Sequence, residues 1–131
     1  LALAAEIIKN AAVPAVIDAD ALQPEIIRVG KSPRILTPHA GEFARIAGQK
    51  SLQEFSRAVG GVTVLKGPVT RVSDGRDVRH SFFGGPVLAR GGSGDVLAGM
   101  IGGLLAGAAL EPLEAACRGV VWHGLAADAL A

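Results

Sequence analysis

Short strand-like segments alternate with helix-like segments through the first half of the chain, and each is followed by a polar side chain. The segments and the residues that follow them are 13–17 with Asp18, 32–36 with Thr37, and 61–65 with Lys66. The first and third are apolar runs, which are typical of strands buried on both faces. Strands that alternate with helices favour a parallel sheet covered by helices, in which ligands bind beyond the carboxyl ends of the strands.

Hairpin and helix signals complete this α/β pattern. Asp74-Gly75 lies between two strand-like segments, which predicts an antiparallel hairpin within 69–83. Helices are predicted up to Asn10, over 23–29, from the turn at 37–42, over 51–59 with Ser51 and Glu54 as a capping box, over 96–109 and over 113–131. The expected fold is a mostly parallel sheet with an antiparallel hairpin at one edge and helices on both faces.

Composition limits the class of protein. The chain has 131 residues, half of them hydrophobic, a formal charge of +1 and a single cysteine, Cys117. This apolar fraction excludes intrinsic disorder, and the balanced charge argues against a nucleic-acid partner. No internal disulfide can form, and the first residues show neither a methionine nor a signal-peptide pattern. We therefore expect a cytoplasmic location and a chain that begins inside a longer protein.

The densest glycine cluster, Gly91-Gly92-Ser93-Gly94-Asp95, stands directly before a predicted helix. Small residues at this place let backbone N–H groups face an anion at the positive end of the helix dipole. A phosphate suits such a site, and Asp95 in the first turn is placed to accept a proton or steer a cation. The alternative is an ordinary glycine-rich turn with Asp95 as a helix cap. The spacing matches neither the Walker A loop nor the dinucleotide fingerprint.

The segment that follows this cluster, 96–110, carries no charge and spaces glycines four residues apart, as paired membrane helices do. Its 15 residues fall short of the ~20 needed to cross a bilayer. We expect instead a core helix that packs closely on the sheet through its glycines. In the last helix, Trp122 and Cys117 are expected in the core, and His123 as a core or interface residue.

Two further segments follow predicted strands. Lys66-Gly67-Pro68-Val69-Thr70 has two interpretations, a contact with phosphate or ribose and a tight turn into the hairpin with a solvated lysine. His39 is placed to bind a substrate, although a lone histidine is more often structural. Asp18 and Asp20 also have a simple structural interpretation, as caps of the next helix.

Four motifs occur in order along nearly the whole chain. They are Val16-Ile17-Asp18-Ala19-Asp20-Ala21-Leu22, Thr37-Pro38-His39-Ala40-Gly41-Glu42, Leu65-Lys66-Gly67 with Thr70, and Gly92-Ser93-Gly94-Asp95-Val96-Leu97-Ala98-Gly99. As an ordered set they resemble the ADP-dependent NAD(P)H-hydrate dehydratases of the ribokinase-like superfamily. The resemblance implies a ribokinase-like domain that repairs hydrated NADH or NADPH, with ADP or ATP activating the added hydroxyl before elimination.

The resemblance also implies residue roles. His39 and Asp95 would contact the hydrated cofactor. The adenine nucleotide would be held by Lys66, Gly67, Pro68, Val69, Thr70 and Gly94. The catalytic group would be Asp95, which activates the hydroxyl, with an anion hole formed by Gly92, Ser93 and Gly94. Mg²⁺ would offset the phosphate charge, and no protein ligands to a metal are assigned.

Some features differ from the family pattern. The family domain is about twice as long, so residues 1–131 are expected to be the C-terminal part of one domain, without the N-terminal half. The connection 48–62 is short, and Gly84-Gly85-Pro86 lacks the asparagine that the family usually carries after the first glycine. An incomplete sheet and an apolar last helix favour a homo-oligomer, and no membrane partner is expected.

Two alternatives stay open. The first is a small-molecule kinase of the same superfamily, acting on hydroxyethylthiazole or a sugar, with Asp95 as the base that deprotonates the acceptor hydroxyl. The second is a non-catalytic remnant that binds nucleotide or serves as an interaction module. Leu36-Thr37-Pro38-His39 together with the Gly-Ser-Gly-Asp motif favours the dehydratase over the kinases.

Overall fold

The structure is a computed structural model that describes residues 1–130, so Ala131, the last residue of the predicted final helix, lies outside the described residues. In chain order its helices and strands are α1 (Ala2–Asn10), β1 (Ala15–Ile17), α2 (Pro24–Ile27), β2 (Arg34–Leu36), α3 (Ala40–Ala47), α4 (Leu52–Val59), β3 (Val62–Leu65), β4 (Thr70–Ser73), β5 (Val78–Ser81), α5 (Ser93–Gly107) and α6 (Pro112–Leu130). Short 3₁₀ turns cover Ala19–Ala21 and Pro86–Ala89.

The strands form one sheet in the order β1-β2-β3-β4-β5. β1, β2 and β3 run parallel, whereas β4 and β5 form the antiparallel hairpin that was predicted at one edge. β1 and β2 begin directly after Pro14 and Pro33, later than predicted, because proline has no N–H to donate to the ladder. The N–H of Ala15 donates to the carbonyl of Pro33 at 3.0 Å, which fixes the start of this pairing.

Each face of the sheet carries its own hydrophobic core. On one face Ile35 and Val64 pack with Leu97 of α5 and Val120 of α6. The opposite core is covered by α1 to α4 and contains Ile17, Leu36, Ile27, Ile46 and Phe55, with Ile8 packed against it. The adjacent residues Ile35 and Leu36 serve opposite cores because side chains alternate along a strand. Helices on both faces are therefore confirmed.

The predicted hairpin and capping box both form. The Ser51 hydroxyl accepts a hydrogen bond from the Glu54 N–H at 3.2 Å, and the Glu54 carboxylate accepts one from the Ser51 N–H at 3.1 Å. In the hairpin turn, Asp74 Oδ1 accepts hydrogen bonds from the N–H groups of Arg76 and Asp77, each at 2.9 Å. These two bonds hold the pKa of the Asp74 carboxyl below its ordinary value.

Helix α5 differs from the expectation in its start and in its packing. It begins at Ser93 and ends at Gly107, so the Ser93-Gly94-Asp95 segment forms its first turn instead of preceding it. Only Leu97 and Ile101 of this helix are buried. An added Cβ would meet no atom within 4 Å at Gly99, Gly102, Gly103 or Gly107. The expected close packing through these glycines is therefore wrong, because Leu97 and Ile101 determine which face is buried.

Helix α6 makes the close approaches instead. An added Cβ would lie 2.6 Å from Ile101 Cγ1 at Gly119 and 2.6 Å from Phe83 Cβ at Gly124. With these glycines and Val120 turned inward, Trp122 falls on the opposite side of the helix and is 67% exposed, so its expected place in the core is also wrong.

Cys117 packs against the core beside α5 but is only half-buried, which corrects the expectation of full burial. This partial burial raises the pKa of its thiol, and the nearby Arg79 guanidinium offsets part of that effect. A thiol with a raised pKa stays protonated and unreactive at neutral pH.

Of the helices that the structure describes, none combines the length and the apolar character needed to cross a membrane.

Candidate active site

A cavity of about 740 Å³ opens beyond the carboxyl ends of β2 and β3. It lies between the loops that follow these strands, the second 3₁₀ turn and the first turn of α5, with α6 behind. The lining residues are His39, Lys66, Gly67, Pro68, Thr70, Gly85, Pro86, Leu88, Ala89, Arg90, Ser93, Gly94, Leu97 and His123. Its volume falls within the roughly 300–1,000 Å³ that small-molecule pockets occupy.

Lys66 is paired in this site with an acidic residue that follows β1. Its Nζ lies 3.3 Å from Asp18 Oδ1, and both side chains are mostly buried, with 21% and 17% exposure. The Lys66 backbone N–H donates to the Pro38 carbonyl at 2.9 Å, which extends the parallel pairing past the end of β3. Asp18 therefore orients the lysine and makes no cap hydrogen bond, so its predicted role as a helix cap is wrong.

The first turn of α5 offers unpaired backbone donors to the same space. Gly92 precedes the helix with φ +86°, a left-handed conformation that favours glycine. The Ser93 N–H donates to the Arg90 carbonyl at 3.2 Å and the Val96 N–H to the Gly92 carbonyl at 3.1 Å. Within the described chain the N–H groups of Gly94 and Asp95 have no backbone acceptor, which leaves two donors for an anion.

Lys66 and the helix start converge at Gly94. A Cβ added there would lie only 2.9 Å from Lys66 Nζ. The ammonium group therefore sits over the helix N-terminus, in the space that a side chain at position 94 would fill. A cation beside free N–H groups at the positive end of a helix dipole needs a negative partner, and here Asp18 is that partner. Together the ammonium and the free N–H groups are suited to bind phosphate.

His39 has a structural contact as well as a place in the cavity wall. It is the N-cap of α3, and its Nδ1 accepts hydrogen bonds from the N–H groups of Gly41 and Glu42 at 3.0 and 3.2 Å. Because Nδ1 accepts, the ring proton belongs on Nε2, and the 3.5 Å approach of Nε2 to Glu42 is a neutral contact instead of an ion pair. The exposed Nε2–H is left to donate to a ligand.

His123 is the site residue that sequence reasoning missed. Its Nε2 lies 3.3 Å from the Ser93 hydroxyl, and the residue lines the same cavity as Lys66. The pKa of His123 is lowered by partial burial and by the Lys66 charge, against an upward contribution from hydrogen bonding to the Ser93 backbone. In the sequence His123 is one of several polar side chains on a largely apolar helix, and nothing there indicates that it faces the cavity.

The structure brings together most of the residues singled out from the sequence. His39, Lys66, Gly67, Pro68, Thr70, Ser93 and Gly94 all line the cavity. Val69, Gly92 and Asp95 adjoin these residues but are not in its lining. Asp95 is exposed on the first turn of α5. Pro86, Leu88 and Arg90, which were not predicted, supply another part of the wall.

The chain is similar in sequence to one family of known proteins. The sequence model of one family, described as NAD(P)H-hydrate dehydratase, matches residues 2–131. A bifunctional NAD(P)H-hydrate repair enzyme of Escherichia coli strain K12 is 43% identical over 136 aligned positions, which cover 95% of this chain and 26% of that enzyme. The chain thus spans about a quarter of this curated relative.

Solved structures share the fold over about half of their length. The ADP/ATP-dependent NAD(P)H-hydrate dehydratase of Bacillus subtilis, co-crystallised with ATP and Mg²⁺, superposes with a TM-score of 0.81 at 33% identity, covering 95% of this chain and 48% of that one. A hydroxyethylthiazole kinase of Pyrococcus horikoshii superposes with a TM-score of 0.70 at 25% identity, covering 82% and 48%. The ribokinase-like fold expected from the sequence is confirmed.

Proposed function

Because the chain belongs to the NAD(P)H-hydrate dehydratase family, we propose that it supplies the nucleotide side of an active site that regenerates NADH or NADPH from their hydrated forms. The observation that carries this proposal is the convergence of the Lys66 ammonium and the free N–H groups of Gly94 and Asp95 in one cavity. Such a cluster favours a phosphate chain over a neutral ligand.

The cavity walls fit an adenine nucleotide. Pro68, Leu88 and Leu97 give the cavity apolar lining on which a base could pack, and Lys66 with Gly94 is suited to hold the phosphates. Arg90 adds a second cation to the lining. The nucleotide would be ADP or ATP, as the resemblance implies, and the apolar walls give its base a surface to pack on.

The chemistry would proceed by phosphorylation and elimination. Asp95 would take the proton of the added hydroxyl, whose oxygen then attacks the terminal phosphorus of the nucleotide, with release of AMP from ADP or of ADP from ATP. Elimination of phosphate, with loss of a proton from the adjacent ring carbon to solvent, would restore the ring double bond of the nicotinamide. His39 would hold the hydrated cofactor through its free Nε2–H. The N–H groups of Gly94 and Asp95 would stabilise the charge on the transferred phosphoryl group.

Mg²⁺ would enter with the nucleotide. Among residues 1–130 no group of three or more histidine, cysteine, aspartate or glutamate side chains could hold a metal ion. Mg²⁺ commonly binds through substrate phosphates with one or two carboxylates, and Asp18 and Asp95 beside Gly94 are the carboxylates suited to this. The ion would neutralise phosphate charge during transfer.

The chain would form the C-terminal part of a single dehydratase domain, as the sequence resemblance implies. Its match to about half of a solved dehydratase supports this, and so does the exposed apolar side of α5, where Val96 is 56% exposed and Gly99 and Gly103 are exposed too. Within the described chain β1 pairs with β2 alone. We assign the rest of the same domain as the partner that covers this side, next to Asp95. A homo-oligomer is the competing occupant.

Substitution of the proposed base tests the function. In the natural polypeptide that carries these residues, hydrated NADH with ADP should recover the absorbance of reduced nicotinamide. Asp95→Asn should lower this rate by about 10²–10⁴-fold, the usual contribution of a general base, while ADP still binds. Asp77→Asn, a change to an exposed acid in the hairpin turn, is the matched control and should leave the rate unchanged.

The outcome separates the alternatives. Equal rates for the parent and Asp95→Asn, including no activity in either, would overturn the catalytic assignment and favour a nucleotide-binding remnant. Phosphorylation of hydroxyethylthiazole or a sugar without recovery of NADH would favour the kinase. The structural similarity to a hydroxyethylthiazole kinase is the observation behind this alternative.

A further inference from the structure

The imidazole of His123 lies against the start of α5, on a helix whose position is set by two close backbone approaches. The next residue, Gly124, is buried, and its backbone lies so close to Phe83 that an added Cβ would be 2.6 Å from Phe83 Cβ. Five residues earlier, Gly119 makes a similarly close approach to Ile101 of α5. These two close approaches fix the rotation of α6 about its axis and its position along that axis. They therefore also set the position of the His123 ring beside Ser93.

The contact between His123 and Ser93 links α6 to the proposed phosphate site. Ser93 is the first residue of α5, and its hydroxyl lies 3.3 Å from His123 Nε2. The following residue, Gly94, contributes one of the two free N–H groups. A phosphate bound to those groups would therefore lie within reach of the Ser93 hydroxyl and the imidazole.

The charged groups around His123 are mainly cationic. Lys66 after β3 and Arg90 before α5 line the same cavity, together with the uncharged His39 ring at the start of α3. Asp18 is paired with Lys66, and Asp128, one turn further along α6, accepts a hydrogen bond from the Gly84 N–H. Asp95 is exposed on the first turn of α5. In the described part of the chain no carboxylate is bonded to His123, and partial burial with the Lys66 charge lowers the pKa of the ring below its ordinary value of 6.5.

We propose that His123 is a positioning residue that takes up a proton from solvent when nucleotide phosphate binds at the start of α5. The imidazolium would then donate from Nε2 and hold the Ser93 hydroxyl and the phosphate in place. This inference rests on the proposed nucleotide site. The direction of the pH dependence follows from charge. A bound phosphate stabilises the protonated ring, so the pKa of His123 rises on binding. The affinity for nucleotide therefore increases as the pH falls from 8 towards 6.5.

Calorimetry measures the proton directly. Binding of ADP to the natural polypeptide is titrated in two buffers of different ionisation enthalpy at pH 6.5, and the difference gives the protons taken up. We expect net uptake by the parent and by His80→Gln, whose exposed histidine lies outside the cavity. His123→Gln should lose most of that uptake. For each protein we compare the Kd for ADP at pH 8 with that at pH 6.5. This ratio should be about threefold to tenfold larger for the parent than for His123→Gln, since a shift of one pKa unit corresponds to a tenfold change in affinity.

The possible results are distinguishable. If the parent does not bind ADP, the proposed nucleotide site itself fails. If the parent binds ADP and His123→Gln shows equal proton uptake, the role of His123 is overturned. Should His123→Gln not fold, NMR titration of the His123 ring in the parent decides the matter: a higher pKa with ADP than without supports the proposal, and an unchanged pKa contradicts it.

Discussion

At the scale of a single residue, the missing side chain at position 94 decides where the Lys66 ammonium lies. An alanine there would place its Cβ at 2.9 Å from Nζ. The end of a lysine side chain is flexible, so the fold would tolerate the change while the ammonium moved away from the helix start. The position thus separates a binding effect from a folding effect.

We expect Gly94→Ala to weaken ADP binding by about tenfold, because a charge-assisted hydrogen bond contributes about 1.5–3 kcal/mol. The measurement is the Kd for ADP in a double-mutant cycle with Lys66→Met. If Gly94→Ala acts by displacing Lys66, it should change the Kd for ADP only slightly in the Lys66→Met background, where the ammonium is absent. Full additivity of the two substitutions would show that the alanine blocks the phosphate directly.

Residue types at the site were readable from the sequence, whereas their contacts were not. The glycine cluster and Lys66 were recognised because both follow predictable element ends. The pairing of Asp18 with Lys66 joins residues 48 positions apart, and the Ser93–His123 contact joins residues 30 apart. Local pattern cannot supply such contacts, since they depend on how whole elements pack.

At the scale of elements, the contact between α5 and α6 includes a close approach at one glycine. Gly119 lies against Ile101, and a Cβ would approach its Cγ1 to 2.6 Å and its backbone to 3.5 Å. The backbone distance is an ordinary contact, whereas the Cγ1 distance is a clash. Because Ile101 is fully buried, its side chain cannot move aside without disturbing the neighbouring core residues.

We expect Gly119→Ala to lower the free energy of unfolding by about 1–3 kcal/mol, the usual cost of overpacking, despite the better helix propensity of alanine. Urea denaturation measures this. Arg118→Ala, the preceding residue on the same helix, removes only an exposed pair with Glu114 and should change stability by about 0.5 kcal/mol at most. A Gly119→Ala protein as stable as the parent would show that the helices can separate freely.

Element prediction succeeded where the signal is local and failed where it is not. The Ser51–Glu54 capping box and the Asp74-Gly75 turn were predicted correctly because each is closed by hydrogen bonds between neighbours. The predicted packing of α5 through its glycines was wrong because glycines four residues apart are found on packed helix faces and on exposed ones. Only the position of α6, set by Gly119 and Gly124, decides between them.

At the scale of the whole molecule, the alternation of strands and helices correctly predicted the sheet and its two cores. The side of α5 that carries Val96, Gly99 and Gly103 stays open in the described chain. An apolar surface of this kind beside a proposed catalytic Asp95 is what an internal interface of a larger domain would show.

We expect Gly103→Glu to destabilise the natural polypeptide by about 2 kcal/mol or more, because the rest of the domain would bury that charge. Ala58→Glu, on an exposed position of α4 across the sheet, should have little effect. The comparison is made by denaturant unfolding at several protein concentrations. Equal stability of the two variants would contradict a covered α5, and a loss that depends on concentration would indicate a second copy as the partner.

The turn before α5 has a consequence for the speed of binding. Gly92 already holds its left-handed conformation, and the Ser93 N–H is already bonded to the Arg90 carbonyl. The loop is therefore preorganised: its conformational entropy is lost when the chain folds and not when an anion arrives. Association would then be limited by diffusion and by attraction to Lys66 and Arg90, so its rate would fall with rising ionic strength.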